Sequence, residues 1–328
     1  MTDAAPLSHD GATARGIAFI LAGMVAISIN DMAVKSLSDA YPLHQIVFVR
    51  SAIALALMMV FLQFEGGFAS LRTDRPGLHL LRGLLIVGAN MTFFAALAAM
   101  PLAEATAIFF VAPLFITLLS IPILGERVGL HRVGAILVGF AGVLVIVLPG
   151  SQGLGDVPLA VLVLPVLAAA LYAAMVVLTR LLGARSRASA MAVYIQSTFI
   201  GVSLGVWLAA GDGRFDPGPD QASLHFLLRA WVWPAPEDWG LFLAVGLMTG
   251  TMAYCISQAY RLGNAATISA YEYVALPLAV FWGWVVFGHL PGAWSALGIV
   301  LVLGSGIYVF WRERVRRRPL ASGRPLRR

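Results

Sequence analysis

Five stretches of this chain, Gly83–Ala103, Ala105–Gly125, Val133–Gly155, Val157–Thr179 and Trp239–Tyr260, each run 20 residues or more without an Asp, Glu, Lys or Arg. A bilayer core about 30 Å thick takes about 20 residues of helix to cross, because peptide groups in hydrocarbon must hydrogen-bond within their own segment. Few soluble cores could accommodate five such segments. Composition agrees: 60% of the 328 residues are hydrophobic and 12% charged, against roughly 25% charged in soluble domains, and mean hydropathy is +0.87. The expected fold is an all-α membrane protein of ten transmembrane helices over residues 16–37, 43–64, 80–100, 102–124, 131–149, 158–181, 189–210, 239–261, 265–287 and 291–311.

An even number of spans puts both termini on one side, and the basic residues identify which. With the N-terminus cytoplasmic, 18 of the 22 Lys and Arg residues fall in cytoplasmic segments. Of the rest, Lys35 and Arg50 lie within or at the edge of expected helices, and only Arg214 and Arg229 in an outer loop. This is the pattern of a multi-pass protein of a bacterial-type inner membrane. The eight arginines of 312–328 follow directly on a helix, where anionic membrane lipid attracts them. The pI near 9.9 therefore reads as topology and lipid contact, not nucleic acid. Residues 1–15 carry Asp3 and Asp10 and lack the features of a signal peptide, so they read as a cytoplasmic tail. The one cysteine, Cys255, lies in an apolar run, which excludes an intrachain disulfide and clustered thiolate ligands. No phosphate loop, HExxH or DDxxD occurs, so no cofactor, metal site or enzyme chemistry is expected.

Sliding the chain along itself by 164 residues places Pro113-Leu114 on Pro277-Leu278, Gly134 on Gly298, Leu137-Val138 on Leu301-Val302 and Gly142 on Gly306. A shift of 163 places Gly125 on Gly288. The expected organisation is two repeats, 16–150 and 157–311, between tails at 1–15 and 312–328. Each repeat holds five spans. An odd number inverts the second copy in the membrane, an arrangement that many secondary carriers use.

The run from Asn90 to Val147, with Gly125-Glu126-Arg127 closing the fourth span and a glycine-rich fifth, resembles the EamA-domain proteins of the drug/metabolite transporter superfamily. The resemblance implies a carrier of two inverted five-helix repeats around a central cavity, with both termini cytoplasmic. The Asn30-Asp31 and Arg50 pattern further resembles the uptake branch that includes S-adenosylmethionine and riboflavin carriers. Two departures stand out: Gly288-His289 replaces a second Gly-Glu pair, and the loop Asp212–Asp238 is long. Its Trp231, Trp233 and neighbouring Trp239 suit headgroup depth.

A charge at bilayer depth costs at least about 2.5 kcal/mol, so such residues face water or each other. In the first span Ser28, Asp31 and Lys35 share a face, with Asp31 and Lys35 spaced to pair. Arg50 lies within the second span, and Glu272 lies mid-ninth between Tyr271 and Tyr273. Asp31, Arg50 and Glu272 are the candidates for holding a polar or zwitterionic substrate, with Asp31 or Glu272 as a proton-coupling carboxylate. The competing reading makes Asp31 with Lys35, and Arg50 with Glu272 or a backbone carbonyl, neutralised pairs that fix packing. Neutral candidates for the substrate site are Tyr254 and Gln258, with Tyr271 beside Glu272; Asn30, Asn90, Gln196, Tyr172 and Tyr194 are weaker. Pro113 and Pro277 are candidate hinges or cavity-lining breaks. Gly201 with Gly205, and Gly246 with Gly250, have the spacing of close helix contacts.

The expected function is secondary transport of a small organic metabolite, amino-acid-like, nucleoside-like or vitamin-like, driven by protons or by exchange, in a monomer or homodimer. The alternative is a membrane enzyme or lipid flippase acting on an envelope component.

Overall fold

Among the described residues, each expected span overlaps helix. The computed structural model describes residues 9–64, 67–71, 75–125, 130–147, 157–182, 188–262 and 268–316. Its helices are α1 His9–Leu37, α2 Leu43–Phe64, α3 Pro76–Leu97, α4 Leu102–Phe109, α5 Ala112–Leu124, α6 Leu130–Val147 and α7 Leu159–Leu182. They continue with α8 Ala188–Ala210, α9 Ala222–Leu228, α10 Trp239–Leu262, α11 Ala275–Phe287 and α12 Ala293–Arg316. Seven segments are long and apolar enough to cross a membrane, and Val133–Val147, Tyr271–Phe287 and Ala293–Tyr308 are shorter apolar helices. The chain is thus a multi-pass, all-helical membrane protein. Helix extends into both expected tails, from His9 and to Arg316, because a helical backbone stays internally bonded in water as in lipid. Glu126 and Arg127 lie outside the described residues.

The fourth and ninth spans are broken, and proline explains where. A proline ring clashes with the carbonyl four residues back and donates no hydrogen bond. For Pro113 that carbonyl belongs to Phe109, the last residue of α4, and α5 begins only at Ala112. For Pro277 it belongs to Tyr273, and a 3-10 stretch, Ser269–Val274, precedes α11. Both proline rings are exposed, so they break helices without turning inward. The helices that follow end alike, on Gly125 (φ 68°) and Gly288 (φ 67°), a left-handed conformation that glycine adopts without a Cβ penalty.

Lipid supplies no hydrophobic force between helices, so close backbone approach carries the packing. The principal neighbours are α1 with α10, α3 with α7, α2 with α8 and with α10, α3 with α8, and α6 with α12. Further contacts join α1 to α11, α5 to α7 and α4 to α11. At the α6–α12 crossing a Cβ on Gly298 would lie 2.6 Å from the Gly142 carbonyl oxygen and 2.4 Å from Ile146 Cγ1. Gly246 and Gly250 meet Ile53 and Leu57 of α2 in the same way. Gly201 and Gly205 do not: nothing lies within 4 Å of a Cβ at either. Their spacing is that of a contact, but α8 turns this face away from its neighbours within the chain.

Residues 211–238 form an ordered cap beside the α1–α2 turn. Phe226 of α9 is 1% exposed. Arg229 donates to the carbonyls of Asp39 (Nη1, 2.8 Å) and Ser38 (Nη2, 2.8 Å). Tyr41 donates to Asp238 Oδ2 at 2.6 Å and accepts from the Ala235 N–H at 2.8 Å. Gln45 donates to the Val232 carbonyl at 2.6 Å and accepts from its N–H at 3.2 Å. His44 Nδ1 donates to the Leu227 carbonyl at 3.1 Å, since a carbonyl can only accept. Of the three tryptophans expected at headgroup depth, Trp233 is 86% and Trp239 43% exposed. Trp231 instead packs against His44, Phe48 and Trp207.

Two outcomes follow from this packing. Gly298→Val should cost about 1–3 kcal/mol of stability by overpacking, whereas Gly201→Ala and Gly205→Ala should leave the melting temperature in detergent unchanged. Within the cap, His225 and the Gly218 N–H hold the Asp216 carboxyl below the ordinary carboxylate range. That contribution is complete above the ordinary range and is lost as pH falls through the depressed value. Hydrogen exchange of α9 amides should therefore speed up below about pH 4, and Asp216→Asn should remove this acid dependence.

Candidate functional site

The polar groups at mid-bundle come from five helices. On α1, Asn30 is 2% exposed and Asp31 partly exposed. Asn30 Nδ2 donates to Asp31 Oδ1 at 3.0 Å, while the Thr249 hydroxyl of α10 lies 3.1 Å from Asn30 Oδ1. On α2, Arg50 is 3% exposed. Its Nη2 donates to Asn90 Oδ1 of α3, and its guanidinium carbon lies 5.2 Å from the Phe94 ring centre and 5.5 Å from that of Phe199 on α8. Arg50 Nε is buried without a hydrogen-bond partner, as is Gln196 Oε1 one turn before Phe199 on α8.

Asp31 and Arg50 face each other closely enough to attract electrostatically. The structure thus brings together Asn30, Asp31, Arg50 and Asn90, with Gln196 on the α8 face that supplies Phe199. A buried guanidinium between aromatic rings gains cation–π attraction, while the amide oxygen of Asn90 replaces one water.

The two expected packing pairs are not formed. Lys35 does not bond Asp31: its Nζ donates to the carbonyls of Leu97 (2.6 Å) and Met100 (2.9 Å) and lies 5.4 Å from the Phe287 ring centre. Those carbonyls end α3 and its following turn, where a cation neutralises unpaired acceptors. Arg50 spends its bond on Asn90 rather than on Glu272. Glu272, in the 3-10 stretch, lies electrostatically close to Tyr172 and Tyr273.

Other candidates take part in packing. Tyr254 stacks on Phe61 at 4.7 Å with Phe19 edge-on, filling the α1–α2–α10 contact. Tyr271 packs on a small cluster that includes Ile20, Met24 and Ala259. Gln258 is partly exposed on α10. Tyr194 donates to the Leu71 carbonyl and stacks on His79, away from Arg50.

Sequence reasoning missed Thr249, Phe94 and Phe199, which are unremarkable apolar or hydroxyl residues until their helices are packed. It also missed Glu104. That residue is 3% exposed at the start of α4 and faces Ser295, His289 and Lys35. Its signal was visible as the lone charge separating two uncharged runs, Gly83–Ala103 and Ala105–Gly125.

The EamA-like transporter family matches over residues 14–148. Over 91% of this chain and 91% of its own length, a riboflavin transporter of Rhizobium johnstonii is 31% identical. The chain belongs to the EamA-like transporter family. It is a secondary transporter of a small organic metabolite. A riboflavin transporter of Vibrio cholerae is 30% identical over 91% of this chain and 94% of its own. An S-adenosylmethionine uptake transporter of Rickettsia prowazekii is 24% identical over 91% and 93%. A solved crystal structure shares the fold with a TM-score of 0.63 at 22% identity, covering 94% of this chain and 100% of that one.

Removing the acceptor of a buried cation should be costly. Asn90→Leu is expected to lower stability by about 1–3 kcal/mol, because Arg50 Nη2 is left unpaired, whereas Thr249→Val should cost only about 0.6 kcal/mol. Thermal melting in detergent checks both, and an unchanged melting temperature for Asn90→Leu would show that Arg50 does not depend on it.

Proposed function

We propose that this transporter carries a vitamin-like, planar heterocyclic metabolite, with riboflavin the first candidate, inward across the inner membrane. The observation that carries this reading is the array of Asp31, Asn30, Thr249, Arg50 and Asn90 beside the rings of Phe94 and Phe199. Such a set offers carboxylate, amide and guanidinium groups to the polar edge of a flat solute and aromatic faces to its body. Relatives that are riboflavin transporters over nine-tenths of the chain support the vitamin class.

Transport runs by alternating access between two inverted five-helix repeats, with both termini cytoplasmic and the α1–α2 turn on the outer side. The packing supports the repeat. Exchanging each span for the one five places on turns the α1–α10 contact into α7–α3 and the α2–α10 contact into α8–α3. The same exchange leaves α2–α8 and α6–α12 as they are. Pro113 and Pro277 supply matching hinges at the breaks in the fourth and ninth spans. Asp31 or Glu272 takes up the coupling proton.

Proteoliposome uptake of labelled riboflavin, with and without an imposed pH gradient, tests this. Accumulation above empty liposomes is expected, and Arg50→Met should reduce it by about tenfold, the equivalent of about 1.4 kcal/mol. Either Asp31→Asn or Glu272→Gln should abolish the gradient dependence. If neither riboflavin nor any member of a vitamin and nucleoside panel enters, the substrate assignment is wrong.

A further inference from the structure

Two kinds of contact close the end of the bundle that carries the α1–α2 turn. On one side, the cap reaches the turn through backbone atoms: Arg229 binds the Ser38 and Asp39 carbonyls, Gln45 binds both the N–H and the carbonyl of Val232, His44 binds the Leu227 carbonyl, and Tyr41 accepts from the Ala235 N–H. Burial lowers the Arg229 pKa from its usual value, and Trp231 packs in the joint, stacked on His44 and tilted against Phe48. These bonds cross between the first two helices and the segment joining α8 to α10. Those same helices already pack as α1 with α10, α2 with α8 and α2 with α10.

On the other side, α1 meets α4 and α11 through side chains. Lys35 lies over Phe287 and faces Glu104, and Trp282 Nε1 donates to Ser28 Oγ at 3.2 Å. Toward α4 and α11 each is a single side-chain contact that water or a new rotamer can replace, while the two backbone bonds of Lys35 run to the end of α3 and its following turn. A joint that holds backbone to several side chains at once has no such low-cost substitute, because every buried group it released would lose its partner together.

We propose that the 212–238 segment is a permanent clamp that makes α1, α2, α8 and α10 one moving body at this end. Opening then runs along the Lys35 seam, against α4 and α11. The inference rests on the alternating-access reading and deepens it by naming which contacts move and which do not. It also gives the long loop a role: the loop keeps the two halves joined where they must travel together.

Spin-label distances test it in full-length protein carrying Cys255→Ser, reconstituted in lipid nanodiscs. Ala40, Gln221 and Leu290 are exposed, so cysteines there leave the packing intact. Across the clamp, the Ala40→Cys, Gln221→Cys pair should give one narrow distance at every pH, with or without riboflavin. Across the seam, the Ala40→Cys, Leu290→Cys pair should give two populations, one longer, whose ratio changes with those conditions. Adding Arg229→Ala should broaden the clamp distance. Two populations across the clamp, or a single unchanging distance across the seam, would overturn the proposal. The uptake assay reports on the carrier and substrate reading separately, since a chain that moves no substrate can still display or lack the two seam populations.

Discussion

Every feature of this structure depends on one constraint: a peptide group inside hydrocarbon has no water to bond, so its partner must be in its own segment. The constraint dictates helices, and it also makes the exceptions informative. Pro113 and Pro277 each remove a donor and displace a carbonyl, and each falls where a span is interrupted, before α5 and before α11. Such breaks persist at membrane depth where protein surrounds the freed groups, as it does for α4, whose residues Leu102–Ile108 are all buried. The glycines at the α6–α12 and α2–α10 crossings act in the same economy. With no hydrophobic force between helices, approach to backbone contact holds the bundle.

Against that background the buried polar groups divide into two kinds. Lys35 caps carbonyls left over at the end of α3, a task any helix terminus sets. Arg50 caps nothing. It sits in the middle of the bundle between two phenylalanines, bonded to one amide and facing one carboxylate, and its Nε has no partner. A buried charge held with donors to spare is costly for stability alone.

The cap of residues 211–238 extends the same logic to the bundle's end. Carbonyls of the α1–α2 turn lie beyond the helical ladder, and Arg229 supplies the donors that water would otherwise provide. Because the donors come from the segment between α8 and α10, satisfying the turn also joins two distant parts of the chain. Orphan backbone groups thereby become a mechanical connection.

Much of this was legible in the sequence. Uncharged runs of 20 residues located the helices, and α2 begins and ends where expected, because span length depends only on bilayer thickness and helical rise. The prolines and Gly125 and Gly288 marked breaks and ends, since their effects are local. Asp31 and Arg50 stood out because charge is expensive in lipid wherever it falls, while Asn90 was a weaker signal. Partners were another matter. Asp31 and Lys35 lie four residues apart, yet Lys35 reaches α3 and Asp31 turns to Asn30; Gly201 and Gly205 have contact spacing but no contact; Phe94 and Phe199 gave no sign of flanking a cation. Spacing along one helix fixes which residues share a face, but what that face meets is decided only when helices from distant parts of the chain pack against it.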